Sequence, residues 1–275
     1  MNAPVVVADL DGTLLHDAPV FEERALGART LATVERLRAQ GVRFAVATAR
    51  PVSTGLSMVR ALHADACIYL NGALVDLDPA HSDFASLTGT NHDADAHLRR
   101  IGFPSAKAAE LCRTITEAVD DVEIGVVMDD VRYTNFDVTK YWTTQTWRFS
   151  DFTDIPDGTA DKVIVFPKPG QEETLRGLIP DDFAIQVSEG SMWMLMEPRA
   201  NKGYTTRLLC DAWGVDPDDA IAFGDDVIDI DMMELAGTGV AVANANPQVL
   251  AIADEVAPSN NEDGVAQWIE RHLLH

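Results

Sequence analysis

Hydrophobic positions along the chain fall into two alternating rhythms. Val5-Val6-Val7-Ala8 is an unbroken apolar run, the pattern of a strand covered on both faces in a parallel sheet. Residues 22–40 then carry Leu26, Thr30, Leu31, Val34 and Leu37 at helical spacing, and Gly41 supplies a stop. A strand over 42–47, a helix over 52–62 and a strand over 66–70 follow. Asn71-Gly72, set between Ile68-Tyr69-Leu70 and Ala73-Leu74-Val75, is a two-residue hairpin signal. This strand–helix alternation predicts an α/β fold built on a mostly parallel sheet.

From about residue 77 to 105 the pattern dissolves into Asp, Ser, Thr, His and Gly, which predicts a linker or loop. Beyond it lie a helix over 106–119 and a hairpin of 122–128 with 131–136, turning at Asp129-Asp130. A strand over 162–166, a helix over 172–178 and a second hairpin of 183–188 with 192–196 complete a module unlike its surroundings. It predicts a separate α/β unit inserted into the first. The alternation resumes with a helix over 203–213, a strand over 220–223, a helix over 229–236, a strand over 239–242 and a last helix over 265–273. There is no internal repeat and no low-complexity tract.

At 275 residues and 47% hydrophobic content, the chain can bury one large core or two smaller ones. Against 44 acidic residues stand 21 Lys and Arg, a formal charge of −23 without any basic run. A polymeric nucleic acid is therefore not an expected partner. Met-Asn-Ala-Pro leads straight into the first strand, and no apolar stretch approaches spanning length, so a cytoplasmic protein without a membrane partner is expected. Cys67, Cys112 and Cys210 are scattered through apolar segments and read as reduced core residues. Nothing in the pattern specifies an oligomeric state.

The first strand ends in the most chemical stretch of the chain, Asp9-Leu10-Asp11-Gly12-Thr13-Leu14. Side chains at i and i+2 of a strand share one side, so Asp9 and Asp11 can converge. Gly12 permits a sharp turn. Carboxyl ends of strands are where open α/β sheets place their chemistry. Paired carboxylates there suggest a metal-assisted nucleophile with an adjacent acid/base; an ordinary polar turn is the competing explanation, which the full string disfavours.

The string resembles the first motif of the haloacid dehalogenase-like phosphohydrolases. Thr48-Ala49-Arg50-Pro51 resembles that family's Thr-Gly-Arg-Pro segment, and Asn201-Lys202-Gly203 matches its lysine motif. Gly224-Asp225 through Asp229 is similar to the acidic Gly-Asp-x-x-x-Asp motif. Ala243-Asn244-Ala245 and the Asn-Asn-Glu-Asp-Gly-Val string at 260–265 resemble later segments of the Cof-type branch. The likeness covers about residues 1–78 and 190–275. It implies a Rossmann-like three-layer core over 1–78 and 193–275, with a type-two α/β cap, inserted over 79–192, that sets substrate specificity.

The resemblance also implies an activity. It points to a Mg²⁺-dependent phosphatase hydrolysing a small phosphorylated metabolite, such as a sugar phosphate, through an aspartyl-phosphate on Asp9. Asp11 would be the acid/base. Asp9, Asp225 and the Asp11 backbone carbonyl would hold Mg²⁺. Lys202 would bind phosphate and steady Asp9, Thr48 would donate its hydroxyl to a phosphoryl oxygen, and Leu10 and Ala49 would be further phosphate-binding positions. Asp229 would orient Lys202, and Asp226 would hold a metal-bound water. A phosphomutase or phosphotransferase, and a non-catalytic phosphometabolite-binding protein, are the competing readings. Two departures from the pattern stand out: Ala49 replaces a glycine, and Ile228 replaces an asparagine. Among the remaining candidates, His92, Asp93, Asp95 and His97 read as a solvated loop rather than a metal site. Arg50 is open between a structural ion pair and a substrate contact. Tyr141, Trp142, Trp147 and Phe149 are open between core and cap face.

Overall fold

The computed structural model describes residues 5–89, 96–188 and 190–274. Two main sheets organise them. The larger runs in the order Glu255–Ala257, Thr238–Val242, Ala220–Gly224, Val5–Ala8, Arg43–Ala47, Ala66–Tyr69, Leu74–Asp76, Leu98–Arg100. Its first six strands are parallel, and the last two join by antiparallel pairing. Val5 to Ala8 are wholly buried, as an apolar run between two helical layers must be. Helix Ala28–Ala39 packs with Gly264–His272, and Lys202–Trp213 packs with Ile230–Leu235. Right-handed crossovers leaving the sheet centre in opposite directions put these pairs on opposite faces, giving three layers.

Strand order reverses between Val5–Ala8 and Ala220–Gly224, and at such a switch point the loops diverge and open a crevice. The registers Ala8↔Val46 and Ala8↔Phe223 bring three strand ends level. The segments beginning at Asp9, Thr48 and Asp225 therefore emerge along one edge.

The second sheet runs Thr146–Phe149, Val131–Thr134, Glu123–Met128, Lys162–Phe166, Met192–Met196, Ala184–Ser188. Only its first pair is parallel. Period-two alternation splits its residues between two cores. Ile124, Val126, Val163 and Val165 pack under helix Ser105–Ala118, with Leu111, Cys112 and Ile115. Val127, Ile164 and Phe166 face the other way and join the core of the larger sheet.

Three sequence expectations change. The helix expected over 22–40 starts only at Ala28; Phe21–Glu23 is a 3₁₀ turn and Ala25–Leu26 pairs with Leu15–His16. Gly27, a poor helix interior residue, marks the break. The stretch read as a linker includes a helix, Phe84–Thr88, capped by Asp83, and the edge strand Leu98–Arg100. Arg99 and Arg100 hid that strand from the hydrophobic pattern. The larger sheet thus continues past the expected 78/79 boundary, and the expected 192/193 boundary cuts strand Met192–Met196. Positions 92, 93 and 95 lie outside the described residues, whereas His97 Nε2 lies 3.2 Å from Ser82 Oγ. The Asp129-Asp130 turn has φ of 50° and 61°, as a two-residue hairpin requires. All three cysteines are buried and unpaired. No described helix is long and apolar enough to cross a membrane.

Both chain crossings to the second sheet leave from one place. Ile101 N–H donates to the Ala73 carbonyl at 2.8 Å, and Gly72 lies so close to Asn201 that a Cβ on it would stand 2.6 Å from the Asn201 nitrogen. A short link can therefore bridge the gap. Replacing residues 102–197 with about four Gly/Ser residues is expected to leave a soluble protein with cooperative thermal unfolding by circular dichroism. Excising 79–192 instead removes the edge strand and splits another, and should give aggregated material. Equal behaviour of the two deletions would contradict this division.

Candidate active site

Asp9 follows the first strand, its N–H donating to the Phe223 carbonyl at 3.1 Å and its side chain nearly buried. Lys202 opens helix Lys202–Trp213, whose start Asn201 caps by accepting from Tyr204 N–H at 2.7 Å. A helix N-terminus disfavours a cation. Here Lys202 Nζ sits 2.8 Å from Asp9 Oδ1 and 2.5 Å from Asp229 Oδ1, with no solvent exposure. The second Asp229 oxygen accepts the backbone N–H of Asp225 at 3.0 Å and of Asp226 at 3.1 Å. Asp229 is thus fully committed.

The loop Leu10–Leu14 packs directly onto Asp225. Gly12 has φ of +76°, and a Cβ there would stand 2.3 Å from Asp225 Oδ2. Thr13 Oγ1 donates to Asp225 Oδ1 at 2.6 Å. Two late segments latch this loop. Asn244 Nδ2 donates to the Gly12 carbonyl at 2.7 Å, and Asn260 Nδ2 donates to the Leu15 carbonyl at 2.9 Å. Asn244 Oδ1 also accepts the Asn260 N–H at 2.9 Å, tying the latches together.

Burial pushes the Asp9 carboxyl well above its usual range; Lys202 opposes this, while Asp229 and Asp225 add to it. Asp225 is pushed up to about 7, by burial first and by Asp229 next. Burial alone would push Lys202 down, but Asp229 and Asp9 reverse this and hold it well above the usual lysine range. Donor oxygens of Asp9, Asp225 and Asp229 lie within 4.8 Å of one another, and the one ammonium beside them, Lys202, pairs with Asp9 and Asp229. A divalent cation would bring that cluster to neutrality, and carboxylate oxygens are suitable ligands for a hard cation. With Asp229 committed to Lys202, the carboxylates able to hold a metal are Asp9 and Asp225.

Asp11 points elsewhere. Arg50 grips its carboxylate through Nε at 2.6 Å and Nη2 at 2.7 Å, and Arg24 Nη1 adds a contact at 3.0 Å. Both guanidiniums rest on the Phe21 ring. The Asp11 carboxylate is therefore not part of the Asp9–Asp225–Asp229 cluster; Arg24 and Arg50 hold it instead. Only the backbone carbonyl of Asp11 could join Asp9 and Asp225. Thr48 is fully buried, its hydroxyl oxygen accepting Arg50 N–H at 3.1 Å, whereas Ala49 lines the cleft. The Leu10 side chain is buried in the core, which leaves only its backbone for a ligand. Asp226 lines the cleft, and its Oδ1 accepts Val227 N–H at 2.8 Å.

A cavity of about 540 Å³ opens above these groups, and the second sheet roofs it. Tyr141 and Trp142 line it, Tyr141 stacking on Phe166 at 3.8 Å; Trp147 and Phe149 do not, and Phe149 is 69% exposed. Arg24, Arg132, Gln145 and Lys162 also line the cavity and escaped sequence reasoning. Of these, Lys162 alone carried a signal, a basic residue at the head of the apolar run Val163-Ile164-Val165-Phe166.

The raised carboxyls make the candidate metal site testable without turnover. A carboxyl whose folded pKa is raised stabilises the fold at acid pH, and that contribution is lost as pH rises through the folded value. The metal-free Tm should therefore fall as pH rises from about 4 through 7, from the Asp225 shift. A divalent cation that occupies the site, at about 100 times its Kd, should raise Tm by roughly 5–10 °C. The gain should be larger at pH 8 than at pH 5, because protonated carboxylates do not bind metal. A gain independent of pH would contradict the assignment of Asp9 and Asp225.

A family model for haloacid dehalogenase-like hydrolases matches residues 6–269. The chain is 25% identical to 5-amino-6-(5-phospho-D-ribitylamino)uracil phosphatase YitU of Bacillus subtilis (strain 168), across 98% of this chain and 97% of that one. It is also 25% identical to the phosphatase of the same name, YbjI, of Escherichia coli (strain K12), across 100% and 98%. Its fold is similar to that of a haloacid dehalogenase-like hydrolase from Bacteroides thetaiotaomicron, with a TM-score of 0.78, 22% identity and coverage of 98% and 99%. The subclass IIB sugar phosphatase BT4131 gives a TM-score of 0.79 at 20% identity, covering 99% and 100%. With the family model spanning nearly its whole length and its acidic cluster at the sheet's switch point, this chain belongs to the haloacid dehalogenase-like hydrolases, in the Cof-type branch, and the full-length relatives named above are phosphatases.

Proposed function

We propose that the protein is a Mg²⁺-dependent phosphatase that hydrolyses a small phosphorylated metabolite through a covalent phosphoryl group on Asp9. The observation that carries this reading is the buried Asp9–Lys202–Asp229 chain at the cleft floor. A carboxylate approaching a phosphate dianion meets repulsion of about 4 kcal/mol per charge pair at about 4 Å and an effective dielectric of about 20. Lys202 offsets part of it at the attacking oxygen. Mg²⁺, held by Asp9, Asp225 and the Asp11 backbone carbonyl, would supply the remaining positive charge.

Asp9 attacks phosphorus, the P–O bond to the leaving group breaks, and the leaving oxygen takes a proton from Asp11. Asp11 then takes a proton from the water that cleaves the acyl phosphate, which restores Asp9 and releases inorganic phosphate. Arg50 and Arg24 bind the Asp11 carboxylate; an arriving phosphate competes for the same guanidiniums, and Asp11, once freed from them, takes up the proton that a phosphomonoester monoanion brings and passes it to the leaving oxygen. Named relatives that act on a phosphorylated ribitylaminouracil or a sugar phosphate support a phosphorylated small molecule as the substrate class.

Hydrolysis of p-nitrophenyl phosphate should require Mg²⁺, and Asp9→Asn should lower kcat on the order of a thousandfold or more while leaving the fold intact by circular dichroism. Undiminished turnover in that variant would refute the nucleophile. Ile228 lines the cleft while packing on the core, so asparagine there would place an amide against apolar neighbours. We expect Ile228→Asn to lower Tm by roughly 2–4 °C, from a loss of about 1 kcal/mol, with no gain in kcat/KM. A rise in kcat/KM of tenfold would show instead that a phosphate-side hydrogen bond is missing at this position.

A further inference from the structure

The cleft floor is net acidic, its two arginines, Arg24 and Arg50, being bound to Asp11, whereas the roof is basic. Every acidic side chain among the described residues lining it, namely Asp9, Asp11, Asp17, Asp225 and Asp226, comes from the larger sheet's side. From the roof come Arg132 and Lys162, with the Gln145 amide beside them. Register explains their placement. Arg132 pairs with Val127, and Val127 with Lys162, so the three form one cross-strand row on the cavity face. Lys162, Ile164 and Phe166 repeat every second residue along that face, and all three line the cavity.

Among the described residues neither cation has an ion-pair partner within 4 Å, and the buried carboxylates of Asp130 and Asp161 offset them only from farther away. Lys162 and Arg132 are each 4% exposed and Gln145 is 8% exposed. Lys162 Nζ donates only weakly, to Met194 Sδ at 3.3 Å. Arg132 Nη1 and Gln145 Oε1 have no hydrogen-bond partner, although the Arg132 guanidinium lies over the Trp142 ring. The nearby carboxylates are turned to other work. Asp130 accepts Ser53 N–H at 2.8 Å, and Asp161 lies 3.5 Å from Arg100. Burial accordingly pushes Lys162 down to about 7 and Arg132 down to about 10. Unpaired buried cations cost stability, and their persistence on a cavity wall points to a ligand that completes them.

We propose that Arg132, Lys162 and Gln145 form an anion subsite that binds a second anionic group, a carboxylate or a phosphate, on the organic part of the phosphomonoester. This rests on the phosphatase reading for the first anion, which the floor binds near Lys202. The cavity is large enough for a leaving group spanning floor to roof, with Tyr141, Trp142 and Ile164 covering its apolar middle. The substrate class is thus a phosphorylated acid or a bisphosphate rather than a neutral phosphorylated alcohol.

Non-hydrolysable ligands read this directly. Calorimetry on the Mg²⁺-loaded full chain would compare ω-phosphonocarboxylates of about two to four carbons with alkylphosphonates of equal length. The best carboxylated member is expected to bind at least about tenfold tighter than its partner, and Arg132→Gln or Lys162→Gln to reduce that ratio below about threefold. Lys162→Met, which replaces the buried cation with an apolar chain, should show the same loss of ratio with a Tm no lower than wild type, excluding misfolding as the cause. Equal affinities within the wild-type pairs, or a ratio unchanged in all three variants, would overturn the subsite. Failure of every phosphonate to bind, with no hydrolysis of p-nitrophenyl phosphate, would refute the phosphatase reading instead. Malonate alone then decides the subsite: binding lost in the variants upholds it, and no binding to wild type rejects it.

Discussion

A single buried ammonium organises this structure. Lys202 has no exposure to water, and an ion in that position is costly unless its partners are placed well. Its partners come from different parts of the chain, Asp9 after the first strand and Asp229 from the turn after Ala220–Gly224. Both contacts can form only if those strands are neighbours in register and helix Lys202–Trp213 begins between them. Removing one partner of a buried pair typically costs about 3–5 kcal/mol, because the other charge is left unpaired. The trio therefore acts less as a source of net stability than as a specification of which strands must meet.

That constraint extends outward through the backbone. With both oxygens of Asp229 in use, the N–H groups of Asp225 and Asp226 are fixed, and so is the direction in which Asp225 leaves its strand. Asp225 in turn restricts position 12 to a residue without a Cβ, and receives the Thr13 hydroxyl. Asn244 and Asn260 then hold the Gly12 and Leu15 carbonyls. Motifs far apart in sequence thus serve one object, the position of the loop that carries Asp9 and Asp11.

How legible each part was in the sequence follows from which force dominates it. Strands buried on both faces must be apolar throughout, so Val5–Ala8 and Arg43–Ala47 were readable to within a residue. Leu98–Arg100 is an edge strand whose arginines serve other partners, Arg100 reaching Asp129 at 2.8 Å, so it carries no such pattern. Spacing alone brought Asp9 and Asp11 together as a pair. That Arg24 and Arg50 hold Asp11 while Lys202 holds Asp9 is an electrostatic effect, and local periodicity does not encode which distant cation will win a carboxylate. The same holds for the roof, where strand register rather than any motif sets Arg132 beside Lys162.

The places where this chain breaks local rules gather around one cleft. Lys202 starts a helix against the dipole, Gly12 takes a positive φ against a carboxylate, and Lys162 begins a buried strand without an ion-pair partner within 4 Å among the described residues. Natural sequences keep such inconsistencies where function requires them, since each one costs stability elsewhere. The two walls differ in kind. The floor satisfies its lysine internally and keeps its carboxylates short of positive charge, which prepares it for a cation and an electrophile. The roof leaves its cations short of negative charge. A ligand that is anionic at both ends and apolar between would relieve the roof and, with a metal, the floor. Complementarity of that kind would let the core keep one chemistry while the cap alone decides which molecule receives it.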